Sequence, residues 1–155
     1  MIFDYVKIIH IISACILLGS GMGTAFYMFF VNFSDDTSLI AQATAQVVIA
    51  DWLFTGTSGV VQALTGFTMI YLQHYALTQL WVIGSIAGYL VAGACWLPVV
   101  YLQIKCRDMA HKASATQQPL PRQYYRYYCT WCILGLPAFS SLLIVIYFMT
   151  QKPVW

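Results

Sequence analysis

Four long apolar segments limit the fold of this chain more than any other feature. Each contains at least about 20 residues, which as a helix is enough to cross the roughly 30 Å hydrocarbon core of a bilayer. Because lipid offers no hydrogen-bond partner to backbone amides and carbonyls, such segments cross membranes as continuous helices. The sequence therefore predicts one integral membrane domain over residues 1–155, an all-α four-helix transmembrane bundle with helices at about Tyr5–Val31, Trp52–Gln73, Leu80–Gln103 and Tyr128–Met149.

Composition favours a lipid environment. Hydrophobic residues make up 61% of the chain and charged residues only 8%, whereas a soluble domain carries roughly 25% charged residues. The chain has too little charge to cover a water-facing surface, so we expect the lipid bilayer as its partner. A net charge of +2 gives no reason to expect nucleic acid. The first apolar segment exceeds the about 7–15 apolar residues of a signal peptide, and we predict it to be helix one.

Lysine and arginine predict the orientation of the bundle. The polar connection between helices three and four, Ile104–Tyr127, holds five of the seven basic residues: Lys105, Arg107, Lys112, Arg122 and Arg126. The other two, Lys7 and Lys152, lie near the chain termini. Basic connections stay in the cytoplasm, so both termini are expected outside.

The connection between helices one and two contains a helical pattern of its own. Asp35–Ser38 supply capping groups, and apolar residues follow at helical spacing: Leu39, Ile40, Ala43, Val47 and Val48. The pattern predicts a short amphipathic helix along the inner membrane face, either separate from helix two or running directly into it.

Small residues predict where helices meet. Gly19 and Gly23 form a GxxxG pair in helix one, and Gly84 and Gly88 form another in helix three. In lipid such spacing lets helix backbones approach closely. These two faces are therefore expected to pack helices together, either within the chain or in a homo-oligomer.

Prolines inside the predicted helices indicate where the bundle opens. Pro98 and Pro137 each leave a backbone carbonyl without its usual donor. We expect a kink at each proline, and such kinks can open a cavity in the bundle.

His10 is the first candidate for a cofactor ligand. At about 100° per residue, His10 lies nearly in line with Leu17, Gly21 and Met28. A histidine with a glycine about three turns away suits a helix that ligates haem iron and lets the flat porphyrin lie against its backbone. Alternatively, His10 forms a hydrogen bond to a neighbouring helix or to water.

His74 is the candidate second ligand. Helix one begins outside and helix two ends outside, so His74 is expected at the membrane level of His10, where the two histidines would bind a b-type haem. Alternatively, His74 is an interfacial loop residue. Lys7 lies one turn from His10, where it pairs with a haem propionate or extends to lipid phosphates.

A polar stripe follows one face of helix two. It comprises Asp51, Thr55, Gly59, Gln62, Gly66, Met69 and Gln73. Because polar groups facing lipid are costly, this stripe is expected to face the bundle interior, with Gln62 bonded to another helix. Asp51 is expected to cap the helix or to pair with an arginine.

Cys129 and Cys132 form a CxxC pair at the start of helix four. Such spacing is typical of a redox pair or of half a zinc site. Cysteine is also an ordinary small apolar residue in membrane helices, so both interpretations stay open.

Several stretches along nearly the whole chain carry a family resemblance. They are "KIIHIISACILLGSGMGTAFYM", "ADWLFTG" with "QALTGF", "GACWLPVVYLQIKCRDMA", and "WCILGLPAF" with "QKP". Together they resemble a bacterial family of predicted integral membrane proteins of unknown function, with "ACWLPVVYLQIKCRDMA" the most specific piece. The resemblance implies a multi-pass protein of the bacterial inner membrane, and the outer side, on which the basic residues place the termini, is then the periplasm.

The "K-x-x-H-I" start of helix one is similar to two further groups. These are the four-helix protoporphyrinogen IX oxidases, which bind b-type haem, and the copper-resistance D-like membrane proteins. This resemblance implies a haem or metal near Lys7 and His10. The oxidases continue with a proline-arginine segment and a further histidine, where this chain has "TAFYMFFVNF". The last helix also lacks their interior lysine, so the resemblance favours haem binding over porphyrinogen oxidation.

These observations predict a b-type haem-binding inner-membrane protein with its haem toward the periplasm. His10 and His74 are the predicted iron ligands, and Lys7 and Gly21 complete the cofactor site. Its haem would exchange electrons with quinone or a membrane redox partner, or the protein would be an oxidoreductase acting on a porphyrin. Two alternatives are a cofactor-free structural or accessory subunit, in a membrane complex or a homo-oligomer, and a copper-handling membrane protein.

Overall fold

The computed structural model describes residues 1–153 and consists of helices. Their order is α1 (Ile2–Val31), α2 (Thr37–Ala50), a π-helix (Asp51–Gly56), α3 (Thr57–Leu72), α4 (Leu80–Ala115) and α5 (Arg122–Gln151). The segment from α2 through α3 is continuous, so four helical rods are long and apolar enough to cross a membrane. The described residues contain no strand. The predicted all-α fold with four membrane helices is confirmed.

The helix α2 between the first two rods confirms the expected short helix. The Asp36 carboxylate caps it by accepting hydrogen bonds from the backbone amides of Ser38 and Leu39, at 2.8 and 3.3 Å. Its apolar face is buried, and α2 packs against α4 and α1. The chain then continues into the π-helix without a break in helical backbone. Of the two expected arrangements, the structure therefore has the one in which this helix runs into helix two.

Two helices are longer than the apolar segments that predicted them. α4 extends to Ala115 and α5 begins at Arg122, so the expected polar connection 104–127 shrinks to residues 116–121. At 36 residues, α4 is about 54 Å long, which exceeds the roughly 30 Å of the hydrocarbon core. Its last turns are amphipathic, with Cys106 and Ala110 fully buried, and this pattern was hidden by the polar composition of the segment.

The tightest packing lies at the end of the bundle that carries the α1–α2 and α4–α5 connections, here called the connection end. Its fully buried side chains come from four helices: Met28, Ile40, Val47, Cys106 and Tyr124. The Tyr124 hydroxyl donates a hydrogen bond to Asn32 Oδ1 at 2.7 Å, so α5 is fixed to the end of α1. The opposite end, with the chain termini and the turn at 73–79, is the terminal end.

Within the bundle the helices form two closely packed antiparallel pairs, α1 with α3 and α4 with α5. The α4–α5 pair uses one predicted GxxxG face. A Cβ atom at Gly88 would lie 2.7 Å from Val145 Cγ2, and one at Gly84 would lie 2.7 Å from the Phe148 ring. By contrast, Cβ atoms at Gly19 and Gly23 would meet no atom within 4 Å. The GxxxG of helix three therefore packs helices within the chain, whereas that of helix one contacts nothing in a single copy.

Candidate functional site: an intramembrane cavity

A cavity of about 890 Å³ lies between the two helix pairs, and all four rods contribute to its wall. Glycines occur on each rod where the wall passes: Gly21, Gly59, Gly93 and Gly135. The wall also includes residues next to both helix prolines, among them Val99 beside Pro98 and Leu136 beside Pro137. We expected these prolines to open a cavity in the bundle, and the cavity does lie beside both of them.

The π-helix Asp51–Gly56 forms one border of the cavity, and sequence reasoning did not predict it. Asp51, Thr55 and Gly56 all line the wall. The Thr55 hydroxyl lies 3.1 Å from the Ser20 hydroxyl on α1, and a Cβ at Gly56 would be 3.5 Å from the Trp96 ring. π-Helical turns within α-helices are rare and occur frequently at functional sites. One sequence feature indicated a continuous helix here. The helical pattern that begins at Leu39 continues without a break through Trp52, where helix two was expected to begin.

Polar atoms without partners lie at the cavity wall near the connection end. Asp51 and Gln103 are each only 3% exposed, and Asp51 Oδ2 and Gln103 Oε1 have no hydrogen-bond partner among the described residues. The indole nitrogens of Trp96 and Trp131 are likewise buried without partners. Buried polar groups are normally hydrogen-bonded, so this group of four, here called the polar end, has unfilled bonding capacity beside an otherwise apolar space.

The predicted roles of Asp51 are wrong. Backbone angles on both sides of it are helical, so it lies in the middle of a continuous rod and does not cap one. The ion pairs among residues 1–153 join Asp4 to the N-terminal amine and Asp108 to Arg107, so no arginine reaches Asp51. An arginine partner was expected because helix two was taken to begin at the membrane edge, and α2 in fact extends the rod by 14 residues.

The polar stripe faces the interior as predicted from the π-helix to the middle of α3, but the prediction is wrong for Gln73, which is exposed just after α3 ends. Thr55 and Gln62 are each 8% exposed and face the bundle. The Gln62 side-chain amide donates to the backbone carbonyl of His10 at 2.7 Å, which confirms the expected bond to another helix.

His10 is buried between α1 and α3 with 8% of its surface exposed. Its Nδ1 lies 2.7 Å from the Thr65 hydroxyl, and that hydroxyl donates its own proton to the Val61 carbonyl at 2.6 Å. With the hydroxyl proton directed to Val61, the Thr65 oxygen accepts from Nδ1, and in this tautomer Nε2 is the unprotonated ring nitrogen. Metal-ligating histidines typically have such a hydrogen bond at the other ring nitrogen, which fixes the tautomer. The same bond also agrees with the alternative prediction, in which His10 is hydrogen-bonded to a neighbouring helix.

The structure does not bring His74 to the level of His10. Ser20 meets Thr55 and His10 meets Thr65, so α1 and α3 run antiparallel in a register that places His74 near the level of Met1. His74 follows Thr65 by nine residues, or about 13 Å at helical rise, and it is exposed in the turn after α3.

The two other predicted cofactor residues are also separate. Lys7 is exposed near the start of α1 and forms no ion pair within residues 1–153. Gly21 lines the cavity, but His10 does not. Of the four predicted residues, only Gly21 therefore belongs to the cavity, and His10 lies just beyond it toward the terminal end.

The cysteines do not gather into a metal site. Among residues 1–153, no three His, Cys, Asp or Glu side chains are close enough to hold a metal ion. Cys129 is exposed, and Cys132 lies on the cavity wall. The role predicted for the CxxC pair and the alternative of copper handling both stay predictions.

Comparison with known proteins agrees with the membrane architecture. No curated protein and no solved structure matches the chain. Residues 4–153 match a family described as predicted integral membrane protein (DUF2269). Because the match covers nearly the whole chain, and four rods are suited to cross a bilayer, this chain belongs to the DUF2269 family of predicted integral membrane proteins.

Proposed function

We propose that this protein binds an amphipathic, membrane-soluble small molecule in the cavity between its helix pairs. The observation that carries the proposal is the polar end, where Asp51 Oδ2 and Gln103 Oε1 are buried without partners beside an apolar space of about 890 Å³. Ligand sites are typically apolar cavities of this size with a few convergent polar groups. A ligand with one polar group and an apolar body would satisfy both parts of the wall.

Filling the cavity tests this proposal. Cβ atoms at Gly93 and Gly135 would meet nothing within 4 Å, so Gly93→Leu and Gly135→Leu place a side chain in the cavity without a clash at Cβ. Gly19→Leu is the matched control, since Gly19 is equally open but lies off the cavity wall.

The measurement is intact-protein mass spectrometry after gentle extraction from native membranes. We expect wild type and Gly19→Leu to carry a common small lipophile, and both cavity variants to lose it. The same bound mass in all four proteins would contradict the proposal.

We propose further that the protein lies in a bacterial inner membrane with both termini in the periplasm. The excess of basic residues in and around the α4–α5 connection supports this orientation. Alkaline phosphatase fused after residue 153 should be active, and the same enzyme inserted at Gln117 should be inactive. The reverse pattern would require the opposite orientation.

A second candidate function is b-type haem binding through His10. It is favoured by the Thr65 bond, which leaves Nε2 free to ligate. His10 would be the one iron ligand of the two histidines, whereas His74, in the turn after α3, lies too far from His10 to be the second. Haem held there would supply one-electron exchange with quinone, with another membrane protein, or with a porphyrin substrate.

The visible spectrum of protein from haem-replete cells tests the haem candidate. We expect a Soret band that is lost in His10→Ala and unchanged in His74→Ala. Colourless wild-type protein would exclude this function and leave the cavity proposal intact.

A third candidate, a structural subunit or homo-oligomer, is favoured by the bare Gly19–Gly23 face of α1. Leucine at Gly23 should then break a complex that is detected by cross-linking in membranes. An unchanged cross-linking pattern would contradict a role for this face.

A further inference from the structure

We infer that the ligand of the cavity carries a positive charge, and that Asp51 binds this cation in exchange for a proton. The inference rests on the proposed function and names the class of ligand. It concerns lipophilic amines, quaternary ammonium compounds and related onium ions.

The first step is the charge of the wall. Asp51 is the only residue with a formal charge among the described residues that line the cavity, and no lysine, arginine or histidine lines it. Ionisable residues inside a membrane are rare, and by default they mark a functional site with a partner. Among the described residues no positively charged group pairs with this carboxyl group, and its side-chain neighbours Thr55, Gln103 and Trp96 are neutral, so a charged partner is expected to come from outside the chain.

The second step is the chemistry around the carboxyl group. Gln103 Oε1 is a second acceptor without a donor, and six aromatic residues also line the cavity: Phe26, Phe29, Tyr89, Trp96, Trp131 and Phe139. Aromatic faces attract cations, and sets of aromatic side chains recognise quaternary ammonium ligands. The unpartnered indole N–H groups of Trp96 and Trp131 are donors, so the carboxyl group of Asp51 and the aromatic faces are what favour a cation over an anion.

The third step is the proton. An isolated carboxylate is too costly to bury, so it takes up a proton when nothing pairs with it. On binding, the O–H bond of Asp51 breaks, the proton leaves to solvent, and the carboxylate pairs with the incoming cation. One monovalent cation replaces one proton, so the total charge in the cavity does not change.

Other titratable groups do not share this role. On the cavity wall they are the Tyr89 hydroxyl from α4 and the Cys132 thiol from α5, and unperturbed phenols and thiols are uncharged at neutral pH. The wall segment of α1 contains no titratable residue. Lys105, the nearest basic residue along α4, lies over the Tyr101 ring at 5.4 Å. The exchange is therefore assigned to Asp51 alone.

The test compares a cation with a neutral molecule of similar shape, by calorimetry on the purified protein in mild detergent. The probes are tetraphenylphosphonium and triphenylphosphine oxide. The protein variants are Asp51→Asn and the charge-matched control Asp35→Asn, whose side chain is exposed. Running the titration in two buffers of different ionisation enthalpy counts the protons that are released.

We expect wild type and Asp35→Asn to bind tetraphenylphosphonium with release of about one proton. In Asp51→Asn, affinity for the cation should fall by about thirtyfold or more, while the neutral probe still binds. If that variant fails to fold, Asp51→Glu should retain both cation binding and proton release.

Two outcomes separate this inference from the proposed function. Equal binding of both probes, unaffected by Asp51→Asn or without proton release, overturns the inference and leaves the cavity as a ligand site. Failure of both probes to bind, together with unchanged bound mass in the cavity-filling leucine variants, overturns both.

Discussion

Alanine at Gly88 should weaken the bundle at the contact between α4 and α5. The new Cβ would lie 2.7 Å from Val145 Cγ2 and 3.3 Å from the Ser141 carbonyl. Neither neighbour moves easily, because valine is stiff about χ1 and the carbonyl is backbone. Overpacking of this kind costs about 1–3 kcal/mol, and the better helix propensity of alanine recovers up to about 1 kcal/mol. From the middle of that cost range, about 2 kcal/mol, this gain leaves a net loss of about 1–2 kcal/mol.

Thermal unfolding in detergent measures this loss. At roughly 2–4 °C per kcal/mol for a chain of this size, Gly88→Ala should lower Tm by about 2–8 °C. Gly19→Ala is the control, because no atom lies within 4 Å of its new Cβ, and it should leave Tm unchanged or slightly higher. Gly84→Ala should fall between the two, since the Phe148 ring it meets can rotate away. If Gly88→Ala and Gly19→Ala melt together, the inferred contact between α4 and α5 is refuted.

Three further predictions concern buried groups. Tyr124→Phe should lower the free energy of unfolding by about 1–2 kcal/mol, because it leaves Asn32 Oδ1 without its donor; an unchanged denaturation midpoint would contradict that bond. Gln62→Leu should cost less, about 0.6 kcal/mol, since it removes one hydrogen bond between membrane helices; a larger loss by the same measurement would mean that Gln62 does more than join α1 to α3. A maleimide should label exposed Cys129 in the folded protein and leave fully buried Cys106 unmodified until unfolding, as mass spectrometry of peptides would show.

The fold was predictable because lipid restricts the choice so strongly. The length of the apolar segments was enough to predict four helices. The polar stripe correctly predicted that Thr55 and Gln62 lie in the interior. Helix ends were less predictable, since α4 and α5 continue beyond the apolar segments as ordinary amphipathic helices. Their buried faces, such as that of Tyr124, are stabilised by exclusion of water, and a count of apolar residues suited to lipid does not detect such faces.

The depth of a residue in the membrane was harder to predict than the side of its helix that faces the bundle. His10 and Gly21 were placed on one face of helix one, and His10 is indeed buried while Gly21 lines the cavity. The partner of His10, however, depends on how far α1 and α3 are shifted along each other. That register is fixed by contacts such as Ser20 with Thr55, which the sequence does not reveal, and it brings Thr65 to His10 where His74 was expected.

Asp51 lies between the closely packed connection end and the cavity. The connection end packs closely around α2, and this contact fixes the beginning of a rod whose later turns border the cavity. A rod that began at the membrane edge would have left Asp51 at a helix start, where backbone amides and water would satisfy its carboxylate. Because α2 extends the rod by 14 residues, Asp51 lies within it and has lost those partners. The same contacts that stabilise the connection end therefore hold a carboxyl group without a charged partner at the wall of the cavity, where the proposed cation would pair with it.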